Sequence, residues 1–176
     1  MATHTIVSRD EWIEARRQLL ADEKEFTRLR DQLSERRRAL PWTRVDKGYA
    51  FEGPNGKETL SQLFEGRNQL VVYHFMYGPD WEAPCKSCSF WADNFNGIIA
   101  HLNQRDVTFV AISRAPLSKI QAFAKRMGWS FKWLSSFHTD FNRDYHVTFT
   151  PEEQEQGKDQ GEFDHGLSGP SLAASK

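Results

Sequence analysis

The chain holds two cysteines, Cys85 and Cys88, in the stretch Cys85-Lys86-Ser87-Cys88. Random placement of two cysteines would give this spacing in roughly one pairing in ninety, so the pair asks for a chemical reason. Two thiols this close suit thiol–disulfide exchange: one attacks a substrate disulfide, and the other displaces the product from the mixed disulfide. At the start of a helix the unpaired N–H groups and the positive dipole end favour the thiolate. Cys85 is therefore the expected nucleophile and Cys88 the expected resolving thiol, with Lys86 adding a positive charge between them. One disulfide closing so short a loop cannot staple a domain of this size, which sets aside a disulfide framework. Zinc would need two further ligands, and no second C-x-x-C exists. His138 and His146 are separated by more residues than the usual H-x₃₋₅-H spacing, so no metal is expected.

Other side chains carry weaker signals. Arg114 follows an apolar run and is expected at the carboxyl edge of a parallel sheet, within reach of the dithiol. Trp81 and Trp91 would either shield the dithiol from water or serve as core aromatics, the core role fitting Trp91 better on its helical face. Asp80 and Glu82 are candidate proton acceptors near Cys88, against the usual role of solvated loop acids. His74 reads as a hydrogen-bonded core or edge histidine rather than a base. Neither a Gly-rich phosphate loop nor G-x-S-x-G is present, so kinase and serine-hydrolase chemistry have no support and no cofactor is expected.

The elements that must position the pair follow from periodicity. Leu70 to Tyr77 is an almost unbroken apolar and aromatic run, which predicts a central strand buried on both faces. From Cys85 to about Asn103, Phe90, Trp91, Phe95, Ile98, Ile99 and Leu102 recur at helical intervals, with Gly97 a weak point. Val107 to Ser113 is a second strand, Leu117 to Met127 a helix closed by Gly128, and Phe131 to Leu134 a short third strand. Alternating strand and helix argues for a parallel sheet with helical crossovers. Upstream, Ser8 and Glu11 have capping-box spacing, and Trp12, Leu19, Phe26, Leu29 and Leu33 make one apolar stripe on a long helix over 8–40. Gly53-Pro54-Asn55-Gly56 signals a short hairpin or a strand exit, and Glu58 to Phe64 a helical turn. Three segments result: a helical extension over 1–40, an α/β domain over 41–150, and a tail over 151–176. Residues 152–165 hold six acids and one lysine, and the last eleven are rich in Gly, Ser, Ala and Leu, so disorder is expected in the tail.

Composition narrows the partners. In 176 residues, 23 Lys plus Arg against 24 Asp plus Glu give a net charge of −1, which disfavours a nucleic-acid module. Aromatics reach 13% although the mean hydropathy is −0.67, so apolar residues are concentrated in segments. No apolar run approaches the roughly 18 residues of a membrane span, and no basic-then-apolar leader opens the sequence. A cytoplasmic location is expected, with a protein or small-molecule disulfide or thiol as substrate, an unidentified electron donor, and neither nucleic acid nor membrane as partner.

The blocks LVVYHFMYGPDWEAPCKSCSFWADNFNG and VTFVAISRAPLSKIQAFAKRMGWSFKWLSS closely resemble the bacterial thioredoxin-like family known as domain of unknown function eight-nine-nine, from about Ser8 through Pro151. The resemblance implies an α/β thioredoxin-like sheet flanked by helices, related at fold level to thioredoxins and peroxiredoxins, with Cys85 and Cys88 at the active edge. Two departures stand out. Gly78 and Glu82 fall where the peroxiredoxin motif Pro-x-x-x-Thr/Ser-x-x-Cys requires Pro and Thr or Ser. Family members usually continue past Gly-Leu-Ser with a strand pair and a final helix, whereas here Gly166-Leu167-Ser168 runs into GPSLAASK. A shortened C-terminus would leave a sheet edge to be covered, and a homodimer through the N-terminal helix is the expected remedy. The reading is a thiol–disulfide oxidoreductase. The alternatives are a peroxiredoxin-like peroxidase using Cys85 and a non-catalytic thioredoxin-like interaction module.

Overall fold

The computed structural model describes residues 4–155. The chain divides into two compact units, Met1–Pro41 and Trp42–Lys176. The first is a single helix, α1 (Arg9–Arg38), opened by the expected capping box: the Ser8 hydroxyl accepts from the Glu11 N–H, and the Glu11 carboxylate accepts from the Ser8 N–H. Two acids in its first turn and three arginines in its last complement the helix dipole. None of its residues is buried.

The second unit is built on a five-stranded mixed sheet. Its strands are β1 (Ala50–Gly53), β2 (Gly56–Thr59), β3 (Gln69–His74), β4 (Val107–Ser113) and β5 (Trp133–Ser135), in the spatial order β2-β1-β5-β4-β3. β3, β4 and β5 are parallel to one another, and β1 pairs antiparallel with both β2 and β5. The β1–β2 turn fits its sequence, since Gly56 at φ +111° takes a conformation that a side chain would resist. The helices are α2 (Lys86–Ala92), α3 (Ile99–Asn103), α4 (Leu117–Met127), α5 (Phe141–Asp144) and α6 (Pro151–Glu155). Gly128 closes α4 at φ +70°.

Alternation along the strands sends side chains into two cores. One face carries Phe75, Cys88, Phe109, Ala111, Trp129, Phe131 and Trp133, with Tyr73 and Cys85 packed against it. The other carries Phe51, Leu63, Val110, Ile112, Leu134 and Phe141, with Leu70 and Val72 packed against it. The odd and even residues of β3 and β4 thus part cleanly, as a period of two requires.

Four expectations are corrected. The run 70–77 does not form the central strand: β3 ends at His74 and lies at the end of the sheet among the described residues. Both its faces pack against core, which is all that an apolar run reports, while Val71 stays 43% exposed. Among the described strands, β4 is buried along almost its whole length and β5, in the middle of the order, throughout. The single helix expected over 85–103 is two, because tertiary bonds claim the residues between them. Asp93 accepts from the Trp129 indole at 2.9 Å, and the Asn96 carboxamide holds the backbone of Gly128, Ser130 and Phe131. The helical turn expected over 58–64 is β2 followed by a 3₁₀ turn at Gln62–Phe64. Disorder does not begin at Pro151: Thr150 and Glu153 form a reciprocal cap, with N–H···O distances of 2.7 and 3.2 Å, that opens α6. The remainder of the expected disordered tail lies outside the described residues.

Candidate functional site

Cys85 stands immediately before α2 and Cys88 within its first turn. The loop from β3 delivers them along a fixed path. The Cys85 N–H donates to the Met76 carbonyl at 2.9 Å, and the Met76 N–H faces the Cys88 sulfur. From α4, the Lys119 ammonium donates to the carbonyls of Pro79 and Trp81 at 2.8 and 3.1 Å. The Trp81 indole lies so close over Gly78 that a Cβ there would come within 2.8 Å of its Nε1. A side chain at 78 would have to displace that indole.

The two thiols are free and unlike. Cys85 is half-buried, while Cys88 is 8% exposed and part of the core. The backbone N–H of Cys88 is the main group drawing the Cys85 thiol below its ordinary pKa. The Cys88 thiol and the N–H and hydroxyl of Ser87 add to it, against a partial desolvation. Burial pushes the Cys88 thiol up, opposed by the Met76 N–H and by the Tyr73 hydroxyl. The proton is thus held more weakly at the accessible sulfur than at the buried one, the asymmetry that an attacking and a resolving thiol require.

The structure brings some expected residues together and not others. Lys86 is exposed, and the lowering at Cys85 comes from N–H, S–H and O–H donors of Ser87 and Cys88 rather than from the lysine charge. Trp81 is 47% exposed in the loop before the dithiol, and Trp91, expected in the core, is 62% exposed on α2 with its ring against Phe90. Asp80 and Glu82 are exposed and act on neither thiol. Arg114 is not among the groups that shift either thiol. On β4, Ser113 bonds to the Phe75 carbonyl and the Trp133 indole on the cysteine side, and Arg114 lines a hollow with α5 residues on the other side. His74 makes no hydrogen bond through Nδ1 among the described residues: that atom is buried, the ring stacks on Phe141, and burial pushes its pKa down to about 4. Tyr73 was missed. Its ring packs edge-on against Phe75 and Phe95 and its hydroxyl reaches Cys88, two residues' worth of alternation before the loop that carries the cysteines. An aromatic with a polar tip in a strand leading to C-x-x-C was the available signal. Among the described residues no group of three or more His, Cys, Asp or Glu side chains comes together, and no helix is long and apolar enough to cross a membrane.

The family described as "Bacterial protein of unknown function (DUF899)" matches residues 1–174. The chain belongs to DUF899. No curated protein matches this DUF899 chain. Among solved structures, a mutant of PrxQ from Xylella fastidiosa is similar with a TM-score of 0.50 and 18% identity, over 65% of this chain and 71% of that one. A putative protein disulfide isomerase from Bacteroides thetaiotaomicron is 22% identical over 55% of this chain and 58% of its own, with a TM-score of 0.38. The yeast mitochondrial 1-Cys peroxiredoxin is 14% identical over 60% and 51%, with a TM-score of 0.41. The likeness to PrxQ is one of fold, and the DUF899 chain has the thioredoxin-like fold that its sequence resemblance implied.

Proposed function

We propose that this DUF899 chain is a thiol–disulfide oxidoreductase in which Cys85 attacks and Cys88 resolves. The observation that carries the reading is the asymmetry of the pair: an accessible thiol lowered by donated hydrogen bonds, beside a buried thiol raised by desolvation. The Cys85 thiolate attacks a substrate disulfide, forming a mixed disulfide and releasing one substrate thiolate. The Cys88 thiol gives up its proton, and its sulfur attacks the Cys85 sulfur. The second substrate thiolate leaves, and the Cys85–Cys88 disulfide remains. The substrate is thereby reduced by two electrons, which an external dithiol donor returns to the protein. Tyr73 is a positioning residue in this scheme, its hydroxyl stabilising the Cys88 thiolate at the moment of resolution.

Iodoacetamide labelling at acidic pH, followed by titration in a glutathione redox buffer, tests the assignment. Cys85 should be modified first, a reversible Cys85–Cys88 disulfide should form, and Cys88→Ser should trap the mixed disulfide. Faster labelling of Cys88, or no reversible disulfide, would overturn the proposal and leave a non-catalytic interaction module.

A further inference from the structure

On the face of the sheet opposite the dithiol lies a hollow of about 360 Å³ whose walls include Arg114, Thr139, Asn142, Arg143, Thr148 and Phe149. Its position follows from topology. Arg114 follows β4, and Thr139 comes after β5, so the hollow opens at the carboxyl ends of two adjacent parallel strands, the edge where open α/β sheets bind ligands. At this size it stands at the small end of the range for ligand cavities, roughly 300–1,000 Å³.

Two of its three charged lining side chains are already paired. Asp140 also lines it, but that carboxylate accepts from the Lys47 ammonium at 3.0 Å, and Lys47 is held in turn by Asp144. Arg143 is paired with Glu153 at 3.1 Å. Arg114, which lines the hollow, has neither an ion pair nor a hydrogen bond among the described residues, so its N–H donors have no protein acceptor. A planar guanidinium in that state matches two oxygens of one carboxylate or phosphate group. Phe149 offers an apolar wall for the carbon skeleton such a group would bring.

We propose that this hollow binds a small organic anion, a carboxylate or a phosphate monoester, with Arg114 as its bidentate anchor. The site is independent of the dithiol reading, since no thiol lines it. The experiment titrates full-length protein with succinate and, separately, with inorganic phosphate, following the backbone amides of Thr139, Asn142 and Thr148 by NMR. Saturable shifts at these amides are expected with at least one probe. The probe that binds distinguishes a carboxylate ligand from a phosphate one, and response to both assigns the shared anion chemistry. Arg114→Gln should weaken binding at least about tenfold, the loss of one charge-assisted pair, with Arg114→Lys intermediate because it keeps charge but loses the fork. Arg114 is exposed, so both variants should fold, and the rate of Cys85 alkylation should be unchanged in each. No shift with either probe at tens of millimolar, or shifts that survive Arg114→Gln, would overturn the proposal.

Discussion

Along β3, neighbouring side chains serve opposite faces and meet opposite chemistry. Tyr73 turns to the core that holds Cys88, and its hydroxyl favours the thiolate there. His74 turns to the other core, stacks on Phe141 with ring centroids 5.4 Å apart, and leaves a buried Nδ1 unsatisfied among the described residues. Desolvation lowers its pKa to about 4 from 6.5, so the folded protein resists a proton that the unfolded chain accepts. Between these values the unfolded state binds more protons. Stability therefore rises with pH through the window and is lost as pH falls from above 6.5 toward 4, by on the order of 3 kcal/mol for this group. His74→Phe keeps the stacking and removes the titration. Urea midpoints at pH 7 and pH 4.5 should differ less in the variant than in the parent, and an identical difference in both would refute a buried neutral imidazole. The sequence placed Cys85 and Cys88 by spacing alone because a covalent step of three residues is fixed locally. It could not tell Tyr73 from its neighbours, nor on which face Arg114 would stand, because only the register of a strand decides which face each meets.

Segments with strong local signals, the capped α1, the hairpin around Gly56 and the Gly128-closed α4, were legible because their determinants lie within a few residues. What escaped were elements decided at long range: the break between α2 and α3, imposed by Asp93 and Asn96 bonding to the segment after α4, and the place of β3 at the end of the sheet. The α6 cap was local and readable, since Thr150-Pro151-Glu152-Glu153 has capping-box spacing with proline at the first helical position. The acidic composition beyond it masked that signal. Another long-range tie sits where the antiparallel hairpin meets the parallel strands. Lys132, next to β5, pairs with Glu58 on β2 and with Glu65, and the side chains of Lys132 and Glu58 are each only 19% exposed. Glu58 Oε1 is buried without a further partner among the described residues, so this carboxylate depends on the lysine. Lys132→Met should cost roughly 3 kcal/mol by leaving that charge unpaired, and Lys132→Met with Glu58→Leu should recover most of it. Denaturant unfolding of both variants decides the point: equal losses in the single and the double would mean that pairing is not what holds the hairpin.

Among the described residues, the two hydrophobic cores of the second unit are built from residues beyond Pro41. The helix has its own apolar resource in Trp12, Leu19, Phe26, Leu29 and Leu33, each between 45% and 67% exposed. Nine basic and eight acidic residues fall in the first forty, so charge repulsion does not prevent one such helix from pairing with another. With about half of each side chain still available, burial is worth roughly 1 kcal/mol apiece, or about 10 kcal/mol for the ten side chains of two copies. Association costs about 4–15 kcal/mol in lost freedom, so the surplus is small and the dimer weak. That leaves at most about 6 kcal/mol, so sedimentation should show a shift from monomer to dimer no lower than tens of micromolar. Replacing Leu19, Phe26 and Leu33 with glutamine should leave a monomer whose thermal unfolding and Cys85 labelling match the parent's, because these side chains belong to neither core. A parent that stays monomeric at hundreds of micromolar, or a triple variant that still dimerises, would remove the stripe from any role in assembly.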